Sequence, residues 1–252
     1  MNIASNRLST RGQETDLLFP CDIIVAINKF EEGYLNRMLP THRNITVGMF
    51  RETQEFSPKA NDSHNFLYIA SNNEPNLHGL KEFLDKVWPN IISKYEHSQL
   101  SIIGSISKSF KNSLYKNVHF KGVLPDLKWE YDQADICLNL TQVGTGLKIK
   151  TIEAINYGKA TISTLKGAEG IVFTDKNKPL VIAKNLQDFE ALILDYISSP
   201  SKISELESKA RDYADSELSM NSVYRELSLA LNEKSGKEDI SRKKLCIDKT
   251  EL

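Results

Sequence analysis

The stretch Asp135–Gly158, DICLNLTQVGTGLKIKTIEAINYG, decides how this chain is read. Its first part, Ile136–Leu140, is a short apolar run of the kind that a parallel sheet buries on both faces. Gly144, Thr145 and Gly146 follow, and then an amphipathic helical pattern through Leu147, Ile152 and Ile155, with Gly158 in the usual C-terminal capping position. Glycines at a strand-to-helix passage let the backbone turn tightly and approach a ligand, while the free amides and positive dipole of the helix start favour an anion. Lys148 and Lys150 fall in the first helical turn, where cations oppose the dipole. A bound phosphate or diphosphate would account for them, and a plain turn with solvated lysines is the competing reading. The spacing is not that of a Walker loop. Glu153 is read either as the partner of Lys150 on one helix face or as a carboxylate that accepts two ribose hydroxyls.

Working outward, Phe66–Ala70, Leu100–Ile103, Val118–Lys121 and Ala160–Ser163 are further strand candidates. Helical patterns lie between most of them, as in Leu80, Phe83, Leu84, Val87 and Trp88. Alternation of this kind predicts an α/β fold: a Rossmann-like, mostly parallel sheet with helices on both faces, and ligands bound at the carboxyl ends of the strands. Upstream, Asp22–Ile27 reads as a strand, Lys29–Met38 as a helix and Asn44–Val47 as a strand, a β-α-β fragment too small to bury a core alone. Arg51–Ser63 is polar and reads as a linker. Leu186–Ile197, Ile203–Ala214 and Met220–Asn232 are helical in pattern. From Glu233 the chain is charged and aperiodic and is expected to be a disordered tail. Its Arg242–Lys244 cluster reads as solvated, with contact to anionic lipid as the alternative. The expected division is therefore 1–61, 62–218 and 219–252.

Composition narrows the function classes. With 252 residues, 40% hydrophobic and 26% charged, the chain is of ordinary globular type, which excludes disorder, collagen-like repeats and a membrane-embedded body. Lys+Arg number 32 against 33 Asp+Glu, and this near-neutral balance argues against nucleic acid as a partner. Cys21, Cys137 and Cys246 are scattered without metal or redox-motif spacing, which suits a reducing compartment. There is no signal-peptide pattern and no apolar run near the ~18–20 residues that cross a bilayer. A cytoplasmic location is expected, with peripheral attachment at the inner face of the membrane left open. His42, His64, His97 and His119 lack ligand spacing, so no metal site is expected, and no nucleophile elbow occurs. Trp88 and Trp129 read as core or rim aromatics.

The block Phe66–Ile171 resembles the donor-binding domain of GT-B glycosyltransferases of the group 1, family-four type. The segments that carry the resemblance are FLYIASNNEPNLHGLKEFLDKVWPNI, LSIIGS, NVHFKGVLPDLKWEYDQADICLNL and GTGLKIKTIEAINYGKATISTLKGAEGI. DIIVAINKFEEGYLNRMLP with the following NITV resembles the last β-α-β of the acceptor domain in the same enzymes. The resemblance implies the C-terminal half of a GT-B fold behind a small acceptor-domain remnant. It also implies transfer of a hexose from a nucleotide-diphosphate sugar to an acceptor hydroxyl, in surface polysaccharide or lipopolysaccharide assembly. That chemistry would need no cofactor or metal and would retain the anomeric configuration. Gly144, Thr145, Gly146, Leu147, Lys148 and Lys150 would meet the donor diphosphate, and Glu153, matching the second glutamate of the EX7E motif, would hold the ribose. The first glutamate of that motif is Thr145 here, a departure that touches the donor-sugar contact. Val123 and Leu124 match the backbone that reads the base, and Gly104 and Ser105 a loop lining the cleft. Asn72 and His78 fall where relatives place a cationic pair, so Lys148 and Lys150 are expected to supply part of that charge; His78 as an ordinary helix-starting residue is the other reading. The implied partner is a missing acceptor-binding domain or a separate acceptor-domain chain. The alternative function is a non-catalytic nucleotide-sugar-binding subunit of a two-chain glycosyltransferase. A dinucleotide-dependent Rossmann enzyme would want GxGxxG where SNNEPN stands.

Overall fold

The computed structural model describes residues 11–50, 52, 64–110, 114–144, 147–232 and 245–247. In chain order the elements are α1 (Arg11–Leu18), β1 (Ile23–Ala26), α2 (Lys29–Met38), β2 (Arg43–Thr46), β3 (Asn65–Ile69), α3 (Glu74–Lys86), α4 (Trp88–Lys94), β4 (Gln99–Ile103), β5 (Val118–Gly122), α5 (Lys128–Gln133) and β6 (Ile136–Asn139). They continue with α6 (Ile149–Asn156), β7 (Ala160–Thr164), β8 (Val181–Ala183), α7 (Leu186–Ile197), α8 (Pro200–Glu217), α9 (Met220–Val223), α10 (Arg225–Asn232) and β9 (Leu245–Ile247). Two compact units result: Met1–Phe50 with Thr145–Leu147 and Met220–Leu252, and Arg51–Gly144 with Lys148–Ser219. The expected linker lies outside the described residues except for Glu52, as does most of the charged tail, of which Leu245–Ile247 forms a strand.

The larger unit is a six-stranded, all-parallel sheet in the order β5-β4-β3-β6-β7-β8. Side chains alternate across it, as a period of two requires. Phe66 and Tyr68 of β3 join Leu80, Phe83 and Trp88 of α3 and α4 and Phe189 and Ile193 of α7 in one apolar layer. Leu67 packs on the other face with Tyr131 of α5, Cys137 and Ala154 of α6. Helices thus cover both faces of the Rossmann-like sheet. An aromatic cluster anchors the first layer, with Trp88 edge-on to Phe66 at 5.7 Å and Phe83 edge-on to Phe189 at 6.0 Å. The Trp88 indole is satisfied by the Lys116 carbonyl at 2.8 Å.

The smaller unit has a parallel sheet in the order β2-β1-β9. Ile24 and Ala26 of β1 pack with Leu18, Leu35 and Leu39 from the α1 and α2 side, while Ile23 and Val25 pack with Ile45 and Ala230. Glu226 of α10 ties this unit together, accepting from Lys29 Nζ at 2.8 Å and from the Thr46 amide at 3.2 Å. Cys137 is a buried free thiol, whereas Cys21 is disulfide-bonded, which departs from the reducing-compartment reading of the scattered cysteines. Among the described residues no helix is long and apolar enough to cross a membrane.

Candidate functional site

The sheet order reverses between β3 and β6: the chain builds outward through β4 and β5 on one side and through β7 and β8 on the other. The loops after β3 and β6 therefore leave in opposite directions and open a crevice at the carboxyl edge, the place where such sheets bind ligands. Asn72, Gly104, Ser105, Val123, Leu124, Gly144 and Lys148 lie on the loops and turns after strands at this edge, Lys150 is in the first turn of α6, and Glu153 and His78 lie further along α6 and α3.

On the β3 side, Asn73 caps α3 by accepting from the Asn76 amide at 3.0 Å, with Pro75 in the first turn. Asn76 is buried, donates to the Ser71 carbonyl at 3.0 Å and accepts from Lys150 Nζ at 3.1 Å. This one amide therefore joins the loop after β3 to the start of α6. Lys150 Nζ also stands 5.6 Å from the centre of the Tyr68 ring, whose hydroxyl is buried without a hydrogen-bond partner. Burial, aided by the like charge of Lys148, pushes the Lys150 ammonium down to about 8. The Lys150–Glu153 pair expected as one alternative does not form, because Lys150 is directed to Asn76.

On the β6 side, Gly144 has φ +117, a conformation in the glycine-favoured region. Thr145 and Gly146 lie outside the described residues, and Leu147 is half-buried. Lys148 is the N-cap residue of α6 and is buried; its Nζ lies 3.4 Å from the Gly144 carbonyl and 3.8 Å from Glu169. One turn further on, Glu153 accepts from the Tyr131 hydroxyl at 3.3 Å, and Tyr131 stacks on Tyr157 at 4.1 Å. Burial first, then nearby groups including Glu153, holds the Tyr131 hydroxyl well above its ordinary range, so it stays a donor.

Other predicted residues are placed less directly. Gly104 has φ +108, and a Cβ there would lie 2.1 Å from the Ala70 carbonyl oxygen, so only glycine fits where the β4 loop crosses the end of β3. Ser105 accepts from the Asn72 amide at 2.9 Å, and Asn72 accepts from Ser109 at 2.8 Å, which locks these two loops together. His78 does not start the helix: α3 begins at Glu74, and His78 is exposed, 3.8 Å from Glu82. Val123 is 70% exposed, while Leu124 packs in the apolar layer with Tyr131. Sequence reading missed Asn76, and it also missed a clasp behind α6. Asn139 and Thr151 both donate to the Gly167 carbonyl, at 3.2 and 2.7 Å, and Asn139 also donates to Thr151 at 2.6 Å.

A six-stranded parallel sheet with helices on both faces and a switch point between β3 and β6 defines a Rossmann-like α/β fold. The model of the family described as glycosyl transferases group 1 matches residues 63–199, over half of the chain, and the chain belongs to that family. A curated relative, an uncharacterised 44.6 kDa protein in the cps region of Klebsiella pneumoniae, is 27% identical over 177 residues, 64% of this chain and 45% of that protein. Solved structures share the fold. A variant of TarM from S. aureus, in complex with UDP, superposes with a TM-score of 0.70 at 16% identity, over 87% of this chain and 45% of that one. HepE from Anabaena, in complex with UDP, gives 0.71 at 12% identity, over 92% of this chain and 70% of that one. WaaG, a glycosyltransferase involved in lipopolysaccharide biosynthesis, gives 0.59 at 14% identity, over 84% of this chain and 62% of that one. The chain thus spans less than half the length of the curated relative and of TarM.

Proposed function

We propose that this chain carries the nucleotide-sugar donor site of a glycosyltransferase that moves a hexose to an acceptor hydroxyl in surface polysaccharide or lipopolysaccharide biosynthesis. The observation that carries the reading is the pair of buried or half-buried lysines, Lys148 and Lys150, at the start of α6 beside the switch point. In such a transfer the departing nucleoside diphosphate develops negative charge while the sugar becomes oxocarbenium-like. Fixed cations and helix-start amides stabilise that charge without reorganising. Lys148, Lys150 and the backbone from Gly144 to Leu147 would meet the diphosphate. With these cations in place the chemistry needs no metal, and the leaving diphosphate can itself take the acceptor proton on the retained face. Glu153, oriented by the Tyr131 hydroxyl, would accept the two ribose hydroxyls. Val123 and Leu124 would offer backbone to the base, and Gly104, Ser105 and Asn72 would form the cleft wall. His78, exposed and 3.8 Å from Glu82, would lie at the rim of the cleft.

The acceptor contacts of this reading come from a further domain or a separate chain, in keeping with the greater length of the relatives. Catalysis by this chain alone is accordingly expected to be weak or absent. Residues 1–61 would be the acceptor-side portion, 62–218 the donor domain and 219–252 the return of the chain to the first portion. The site would work in the cytoplasm, where nucleotide sugars are available, with any membrane contact peripheral. Calorimetry with UDP-, GDP- and dTDP-sugars tests the proposal: binding of one class is expected, and binding of none would refute it.

A further inference from the structure

The turn after β7 carries a feature that a diphosphate site by itself does not explain. Glu169 sits among cations there: its Oε2 is 2.7 Å from Lys166 Nζ and 3.8 Å from Lys148 Nζ, and about a third of the side chain stays exposed. A carboxylate in that position repels a phosphate, so its presence calls for a second task. A partly exposed pair three residues apart adds only modestly to stability, which leaves the stability account weak.

The turn is also held far more firmly than a surface salt bridge requires. The Gly167 carbonyl accepts from Thr151 and Asn139, and its amide donates to Thr164 Oγ1 at 2.9 Å. The Thr164 hydroxyl donates in turn to the Thr141 carbonyl at the end of β6. A Cβ at Gly167 would lie 2.4 Å from Ser163 Oγ and 2.7 Å from Asn139 Cγ, so the turn is packed against the clasp. Side chains from β6, α6 and β7 thus fix one glycine, and Lys166 and Glu169 flank it. Such support is what a preorganised recognition group needs.

We propose that Glu169 reads the donor sugar, its carboxylate accepting hydrogen bonds from the sugar hydroxyls beside the diphosphate. The inference rests on the donor-site reading above and deepens it. An ionised carboxylate is acceptor-only and can take two neighbouring hydroxyls at once. When the diphosphate draws the charge of Lys148, Glu169 loses part of its cationic company and gains those hydroxyls in exchange.

The test is calorimetry of UDP with UDP-glucose, GDP with GDP-mannose and dTDP with dTDP-glucose, on the unaltered chain and on Glu169→Gln and Glu169→Asp, with thermal melting to verify the fold of each. The pair that the unaltered chain binds most tightly is the one compared. Glu169→Gln should weaken the sugar nucleotide about tenfold, the equivalent of one charge-assisted hydrogen bond, and leave the bare diphosphate unchanged or tighter. Glu169→Asp, which keeps the charge but shortens the reach, should also lose the preference for the sugar nucleotide. Equal weakening of both ligands would make Glu169 a support for Lys148 and overturn the proposal, as would no change in either. If the unaltered chain binds none of the six ligands, the donor-site reading itself fails and Glu169 falls with it.

Discussion

Replacing Lys150 by Met should stabilise the protein at neutral pH, because the fold carries the cost of a charge that burial disfavours. Burial beside Lys148 lowers its ammonium from the ordinary 10.5 to about 8. Between those values the unfolded chain holds a proton that the folded chain has lost. Folded stability therefore rises as pH increases from 8 toward 10.5, and below 8 the fold carries the full cost of a strained charge. The gap, 10.5 − 8 = 2.5 units, corresponds at about 1.4 kcal/mol per unit to about 3 kcal/mol at pH 7. Removing the amine also leaves the buried Asn76 carbonyl oxygen without its donor, a loss of about 1–2 kcal/mol. The net expectation for Lys150→Met is a gain of about 1–2 kcal/mol at pH 7. At pH 10 the charge penalty has shrunk to about 1 kcal/mol, so the variant should be no more stable than the unaltered chain there. Urea unfolding followed by tryptophan fluorescence reads this, since Trp88 is 1% exposed in the core of the larger unit and Trp129 is 66% exposed. A variant destabilised equally at pH 7 and pH 10 would refute the reasoning.

Thr151→Val should cost about 1–3 kcal/mol in the same assay, by leaving the Gly167 carbonyl and Asn139 short of a partner, and Thr151→Ser should recover most of it. Gly104→Ala, which combines φ +108 with a 2.1 Å approach to the Ala70 carbonyl oxygen, should lower the melting temperature sharply or prevent folding, read by circular dichroism. Glu153→Ala should weaken a nucleoside diphosphate more than inorganic pyrophosphate in calorimetry; an equal loss for both would remove the ribose role.

How much of this was legible in the sequence depends on how local the determinants are. β6 and β7 are short runs buried on both faces, with Ile136, Leu138, Ala160 and Ile162 among their apolar residues, and their pattern is visible in four or five residues. α7 has its Asn185 cap immediately before it and its apolar spacing within its own twelve residues. By contrast β8 is a three-residue edge strand, and α1 is a largely polar helix, so neither has enough period to be read. The helix expected over Met220–Asn232 breaks into α9 and α10 around Tyr224, which no proline or glycine announces. In the site, Lys148 and Lys150 stood out because cations at a helix start contradict the dipole. Asn76 and Glu169 carried no such contradiction. Asn76 meets Lys150 across 74 residues, and the Glu169 turn is held by Asn139 from 28 residues away, relations that only the folded sheet order creates. His78 was misplaced by one turn because the Asn73 cap, three residues before Asn76, starts α3 at Glu74.

At the proposed donor site, the strain at Lys150 would also make donor binding a proton-linked event. Before binding, the amine is half neutral near pH 8, held there by burial and by Lys148. A diphosphate beside it supplies the opposite charge and returns its pKa toward the ordinary range. In the window above 8 the bound state therefore holds a proton that the free state lacks, and binding takes one up. The sign follows: affinity is flat below about pH 7 and falls above pH 8, reaching about a tenfold loss at pH 9, where the free amine is only about one-tenth protonated. Calorimetry at pH 8.5 in EPPS and in Tris buffers, whose ionisation enthalpies differ, counts the proton directly. Lys150→Met should abolish both the buffer dependence and the decline above pH 8. If the two buffers give the same heat for the unaltered chain, Lys150 does not touch the diphosphate, and the cationic side of the site reduces to Lys148 and the helix start. Uptake of a proton would instead mean that the roughly 3 kcal/mol charge penalty at Lys150 in the empty fold is relieved when the donor arrives.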